Sequence, residues 1–290
     1  PGRAVLEALG ARQEADPADV FAFAALRPAD ERDGELWLTG RPRRGEDDEE
    51  AGTLLERCDG IEVDGLRFSL SDLGRGEAIL RISGGADDRV TDSDAFFRDW
   101  YPVLRPQPIV PEAERTAGAA DEWMREVLRR LEGERFNVIT LKWWGRAREA
   151  PTFAERHGVS GTFIAASRFM HGLARAVGLE PLEAAETDDP TRDLTQRVAL
   201  VRERLDAGDT FVFSHQKAAD EAGHTKDPAI KQRTIEALDA AAGDLPTDRA
   251  VVCITGDHAT PAFPDVIHSG DPVPLLLAGP DVRADEVTSF

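Results

Sequence analysis

Apolar and polar positions follow two different rhythms along this chain, and the change falls near residue 112. Before it, short runs at 20–23, 35–38, 66–70 and 78–82 are separated by charged loops and predict strands. One helix is predicted at 46–57, behind the basic tract Arg41-Pro42-Arg43-Arg44. This mixture predicts a small α+β domain. Prolines at 102, 106, 108 and 111 stiffen the next stretch, so 101–111 is expected to be an extended linker into a second domain.

After residue 112 long helical periods alternate with short apolar runs. The segment 116–133 carries Trp123, Val127 and Leu131 four residues apart, the spacing of one helix face. Further helices are predicted at 167–177, 191–207 and 227–243, and strands at 137–141, 162–165, 210–214, 250–255 and 273–277. Such alternation predicts an α/β sandwich whose strands are largely parallel and buried.

Composition narrows the function classes. The chain has 290 residues, 41% of them apolar, enough for real cores. No uncharged apolar run reaches the length of a membrane span and no leader-like segment is visible, so the cytoplasm is the expected location. Cys58 and Cys253 are too few and too far apart for a disulfide framework or thiolate metal site, and both are expected to be buried. The net charge of −20, with only Lys142, Lys217, Lys226 and Lys231 as lysines, argues against nucleic acid and anionic membranes as partners. An acid-rich, Arg-rich surface also fits a salty cytosol or a high-GC genome. Oligomeric state is not legible in the sequence.

Four of the six histidines, His215, His224, His258 and His268, lie close together near the C-terminus in acidic company. Ser214-His-Gln-Lys-Ala-Ala-Asp-Glu-Ala-Gly-His224 follows a predicted strand, where α/β sheets place ligand groups. Asp220 and His224 are four apart and would share one helix face. Another predicted strand runs into Gly256-Asp257-His258, and Gly256 permits the turn that lets both side chains serve one site. His268-Ser-Gly-Asp-Pro-Val-Pro274 precedes the last strand. Each piece alone is commonplace as a surface pair, turn or loop residue; three in sheet order are not. Asp227, Asp265 and Asp271 read as caps or turn formers. Imidazole with carboxylate suits zinc or manganese, and five such donors exceed one tetrahedral site, so two divalent ions are expected.

The segment Phe213-Ser-His-Gln-Lys-Ala-Ala-Asp-Glu-Ala-Gly-His224 resembles the His-x-Lys-x-x-Asp-Glu-Ala-Gly-His signature of archaeal-type cofactor-independent phosphoglycerate mutases. Thr255-Gly-Asp-His-Ala-Thr-Pro261 and His268-Ser-Gly-Asp-Pro-Val-Pro274 resemble two further signatures of that family, in order. Weaker similarity runs through Phe153-Ala-Glu-Arg-His-Gly158, Gly172-Leu-Ala-Arg-Ala-Val-Gly178 and residues 2–10. The resemblance implies an alkaline-phosphatase-like α/β sandwich, residues 1–11 and 112–290, with a smaller inserted substrate-binding α+β domain at 12–111. The opening at Pro1 without a Met and the stop at Phe290 just after a structured-looking segment lead us to expect that material is missing at both ends, and the resemblance implies a glycolytic isomerase acting on a small phosphorylated substrate. Asp220, His224 and His268 would bind one metal, and Asp257 and His258 the other. Arg156 and Lys217 would handle phosphate, and the Ser nucleophile would lie upstream of Pro1.

The expected inserted domain departs from the family. Phe21-Ala-Phe-Ala-Ala25 stands where the family has Arg and Asn, Thr39-Gly-Arg-Pro-Arg-Arg44 where it has Asp-Arg-Arg, and a His-Arg pair near 75–77 is unmatched. Since such groups neutralise a carboxylate and a phosphate together, the departures admit a phosphatase or phosphomutase acting on another phosphate or phosphonate ester; a chain that has lost the Ser nucleophile would instead be a non-catalytic metal-binding subunit.

Overall fold

The computed structural model describes residues 2–94 and 99–286; the expected domain ends at Pro1 and Phe290 lie outside them. In chain order the elements are α1 (Arg3–Gly10), β1 (Val20–Arg27), β2 (Ala29–Arg32), β3 (Glu35–Leu38), α2 (Asp48–Arg57), β4 (Ile61–Val63), β5 (Leu66–Gly74), β6 (Glu77–Ser83), β7 (Tyr101–Pro102), α3 (Glu114–Arg130) and β8 (Val138–Arg146). Then follow α4 (Phe153–His157), β9 (Gly161–Ala165), α5 (Arg168–Ala176), β10 (Glu180–Glu183), α6 (Pro190–Asp206), β11 (Phe211–Ser214), α7 (Ala218–His224), α8 (Pro228–Ala242), β12 (Val252–Thr255) and β13 (Leu275–Ala278). The α/β class expected from the alternation is the class observed. The residues form two compact units: Pro1–Pro151 with Arg168–Val177, and Thr152–Ser167 with Gly178–Phe290.

The first unit is built on a five-stranded sheet in the order β4-β5-β6-β1-β8. Strand β1 is apolar at nearly every position because both its faces are covered. Val20, Ala22, Ala24 and Leu26 join Leu54 and Leu55 of α2 and Trp123 and Val127 of α3 in one core. Phe21, Phe23 and Ala25 point the other way, into a core with Ala4, Val5 and Ala8 of α1. Helix α5 lies so close to α1 that a Cβ on Gly172 would fall 1.7 Å from the Leu6 carbonyl oxygen, so glycine is required there.

Three expectations change here. The strand predicted at 137–141 is the start of β8, and it runs antiparallel to β1, with Thr140 opposite Ala25. The expected domain break at 111/112 therefore falls inside the first unit, because α3 and β8 complete the sheet and core begun by β1. Residues 101–111 are not a linker between units: Tyr101–Pro102 pairs with β3 and Pro108 bridges Val90.

Among the described residues of the second unit, β10, β9 and β11 are the parallel strands, in that order. β12 and β13 pair antiparallel, against the expectation of largely parallel strands. Cys58 is buried as expected, but Cys253 is exposed, because β12 pairs with β13 alone and its residues stay open to solvent. Helix α6 is anchored by a buried ion pair, Arg197 to Asp193 at 2.8 Å, and Arg197 also donates to the Ala184 carbonyl. Asp227 caps α8 by accepting from the Ala229 and Ile230 amides, the cap role expected of it. Among the described residues no helix is long and apolar enough to cross a membrane.

Candidate metal centre

Strand ends deliver the polar groups of the second unit. β11 stops at Ser214, and one turn of coil leads into α7, whose 218–224 span sets Asp220 and His224 on one face. β12 stops at Thr255, so Gly256, Asp257 and His258 lie beyond the strand and are free of its alternation. His268 lies in the segment before β13, and the neighbouring Ser269 pairs with Ala259 across an isolated bridge. That bridge draws the two loops together.

The donor atoms converge. Asp220 Oδ1 is 3.3 Å from His224 Nε2 and 3.7 Å from His268 Nε2, and the two imidazole nitrogens are 3.3 Å apart. A tetrahedral ion with bonds of about 2.0–2.1 Å separates its ligands by about 3.3–3.4 Å, so this triangle has the size of one face of such a site. A second set overlaps it: donors of Asp220, His258 and His268 all lie within 4.8 Å of one another. The His258 and His268 rings lie 3.9 Å apart at their centroids. Asp257 stands beside His258, Oδ2 to Nε2 at 3.6 Å. Neutral nitrogen with carboxylate oxygen is a donor set for a divalent transition ion.

The electrostatics agree with that chemistry. Burial works to raise the carboxyl of Asp220, yet the Thr260 hydroxyl and the imidazoles of His224, His258 and His268 outweigh it and hold the group below its ordinary value. It is therefore an anion facing three imidazoles. The fourth C-terminal histidine, His215 at the end of β11, is half-buried; burial pushes its imidazole below the ordinary value, against the pull of Asp257.

A family model described as the metalloenzyme superfamily matches residues 30–289. The 2,3-bisphosphoglycerate-independent phosphoglycerate mutase of Methanopyrus kandleri is 35% identical, over all of this chain and 73% of its own length. The chain belongs to this mutase family. Among solved structures, the cofactor-independent phosphoglycerate mutase of Thermoplasma acidophilum shares the fold with a TM-score of 0.58 and 24% identity, over 99% of this chain and 74% of that one. A Pyrococcus horikoshii protein does so with a TM-score of 0.68 and 23% identity, over 98% and 70%. Binding of divalent metal goes with membership of the superfamily.

In this mutase-family chain the five expected donors, Asp220, His224, His268, Asp257 and His258, stand in one neighbourhood. The two expected phosphate groups stand differently. Lys217 is exposed at the start of α7 and pairs with Glu221 at 3.4 Å, and Arg156 is exposed on the short helix α4. Sequence reasoning missed two further groups. Thr260 is buried at 4% exposure and its hydroxyl touches both Asp220 and His258; its place in the Gly-Asp-His-Ala-Thr-Pro motif is the one signal of it in the sequence. Lys142 is buried in the first unit, its ammonium 4.1 Å from the Trp143 ring centre, and burial pushes it down to about 7. Its signal was available: one of four lysines, placed inside an apolar strand.

Proposed function

We propose that this chain carries the metal centre of a metal-dependent phosphoryl-transfer enzyme that interconverts 2- and 3-phosphoglycerate in the cytoplasm. The observation that supports this reading is the triangle of Asp220 Oδ1, His224 Nε2 and His268 Nε2, with His258 and Asp257 beside it. Asp220, His224 and His268 would hold one divalent ion, and Asp257 and His258 the other, manganese or zinc. When bound, a metal pair neutralises phosphoryl oxygens and lowers the pKa of an attacking hydroxyl. The chain's own groups do the rest: the carboxylates of Asp220 and Asp257 offset ion charge, the imidazoles fix its position, and Lys217 and Arg156 offer donors to a phosphate. Lys217 would exchange its ion pair with Glu221 for that phosphate. The nucleophile is the Ser expected upstream of Pro1, which takes the phosphoryl group as a phosphoserine and returns it to the other hydroxyl.

One observation favours a second reading, a phosphatase or phosphomutase acting on a different ester. The stretch where the family places Arg and Asn is here the apolar interior of β1, all of it buried. Guanidinium groups instead come from Arg27, Arg41, Arg44 and Arg75, which line a cavity of about 180 Å³ in the first unit. Arg27 is already committed to Asp94 and Asp99.

The two readings separate in an assay of the complete protein with 3-phosphoglycerate and with a panel of phosphate esters. Isomerisation that a chelator abolishes and manganese or zinc restores is expected. Asp220→Asn should lower kcat/KM by more than the roughly 10–100-fold typical of an outer-shell partner. Release of free phosphate without isomerisation would favour the second reading, and neither activity would remove both.

A further inference from the structure

The loop between His258 and His268 is held from outside by groups that are not metal donors. The backbone of α7 lies directly against it: a Cβ on Gly223 would fall 2.3 Å from the Thr260 carbonyl oxygen. That same carbonyl accepts from the Lys231 ammonium, and the Lys226 ammonium donates to the carbonyls of Pro261 and Val266. Lys226 makes these bonds from a left-handed backbone, φ 61°, which a non-glycine residue rarely adopts. Two of the chain's four lysines are thus spent on fixing one loop.

At the centre of that loop the Thr260 hydroxyl lies 2.6 Å from Asp220 Oδ1 and 3.2 Å from His258 Nδ1. A hydroxyl has one proton to donate, and an ionised carboxylate can only accept. The short distance to Asp220 is that of a charge-assisted O–H to carboxylate bond. The hydroxyl oxygen therefore faces His258 with a lone pair, and Nδ1 must carry the proton. A neutral imidazole protonated on Nδ1 has its free lone pair on Nε2, the nitrogen on the Asp257 side.

We infer that Thr260 is a positioning residue that couples the two proposed ion sites, aiming the Asp220 carboxylate of one and fixing His258 of the other with Nε2 free to bind. The inference rests on the metal reading for its consequence but not for its geometry. Removing the hydroxyl frees the carboxylate to rotate and leaves the proton of His258 without its acceptor, so both sites weaken at once. Loss of an outer-shell partner commonly costs about 10–100-fold in metal affinity.

The test combines ¹⁵N histidine spectra of the metal-free protein with manganese and zinc titrations of wild type, Thr260→Val and Thr260→Ser. His258 is expected to be protonated on Nδ1 in wild type and to exchange between tautomers in Thr260→Val, which also binds both ions about 10–100-fold more weakly. Thr260→Ser restores the tautomer and the affinity. A wild-type His258 protonated on Nε2, or a Thr260→Val protein that binds metal within about twofold of wild type, overturns the inference. If Thr260→Val does not fold, the wild-type and Thr260→Ser spectra still decide the tautomer. A wild type with the expected tautomer that binds neither ion overturns the coupling of ion sites and the metal reading, while the hydrogen-bonded assignment of His258 stands.

Discussion

Strands β1 and β12 have similarly apolar sequences and opposite surroundings. All eight residues of β1 are buried between two layers of helix, whereas no residue of β12 is buried and its partner β13 exposes Leu275 and Leu277. The first unit is held mainly by apolar contact in its two main cores, with the buried Arg27–Asp94 pair as a polar exception. The site-bearing part of the second is held by point contacts: lysine ammonium groups on backbone carbonyls, and a threonine hydroxyl between a carboxylate and an imidazole. Apolar contact is forgiving of direction and supplies stability. Polar point contacts specify where an atom sits, which is what a metal centre needs.

The largest effect that would break this contrast is expected at Trp123, wholly buried and stacked on Phe68 with ring centres 5.6 Å apart. Trp123→Ala should cost about 3–5 kcal/mol in denaturant unfolding of the first unit. Leu275→Ala, an equally apolar truncation on exposed β13, should stay within about 0.5 kcal/mol. Comparable costs at the two positions would erase the contrast.

A smaller effect sharpens it by way of Lys142, a buried ammonium in the apolar unit. Burial pushes Lys142 down from 10.5 to about 7, so between those values the unfolded chain holds a proton that the folded chain has lost. Stability of the wild type therefore rises with pH across that window, and the burden of the buried charge is greatest below pH 7. The melting temperature of Lys142→Met minus that of wild type should be highest near pH 6 and shrink toward pH 9. A difference that is flat or grows with pH would show that Lys142 keeps its proton. Asp94 is paired with Arg27 at 2.8 Å, so removing the Lys142 ammonium does not strand a buried carboxylate.

How much of this was legible in the sequence depended on the range of the interaction. The helix face carrying Trp123, Val127 and Leu131 was legible because its period is local, and all three residues are buried. The direction of β8 was not, since it is set by pairing with residues more than a hundred positions away. The same distinction runs through the site. Asp220 and His224 were legible from a four-residue spacing that one helical turn satisfies, and Gly256-Asp257-His258 from a strand that had to end. The Thr260 hydroxyl acts on a carboxylate 40 positions away, and the Lys226 and Lys231 clamps reach 29 to 40 positions. Nothing in local periodicity carries such contacts. Cys253 misled because an apolar strand reads as buried, whereas β12 is open to solvent.

The central claim is that loops after successive strands hold divalent cations at one point, and anomalous scattering from crystals soaked with manganese tests it most directly. A peak is predicted within about 2.0–2.3 Å of Asp220 Oδ1, His224 Nε2 and His268 Nε2 together, with a second beside Asp257 and His258. Full occupancy of manganese elsewhere on the protein, with no peak among those three atoms, would contradict the account.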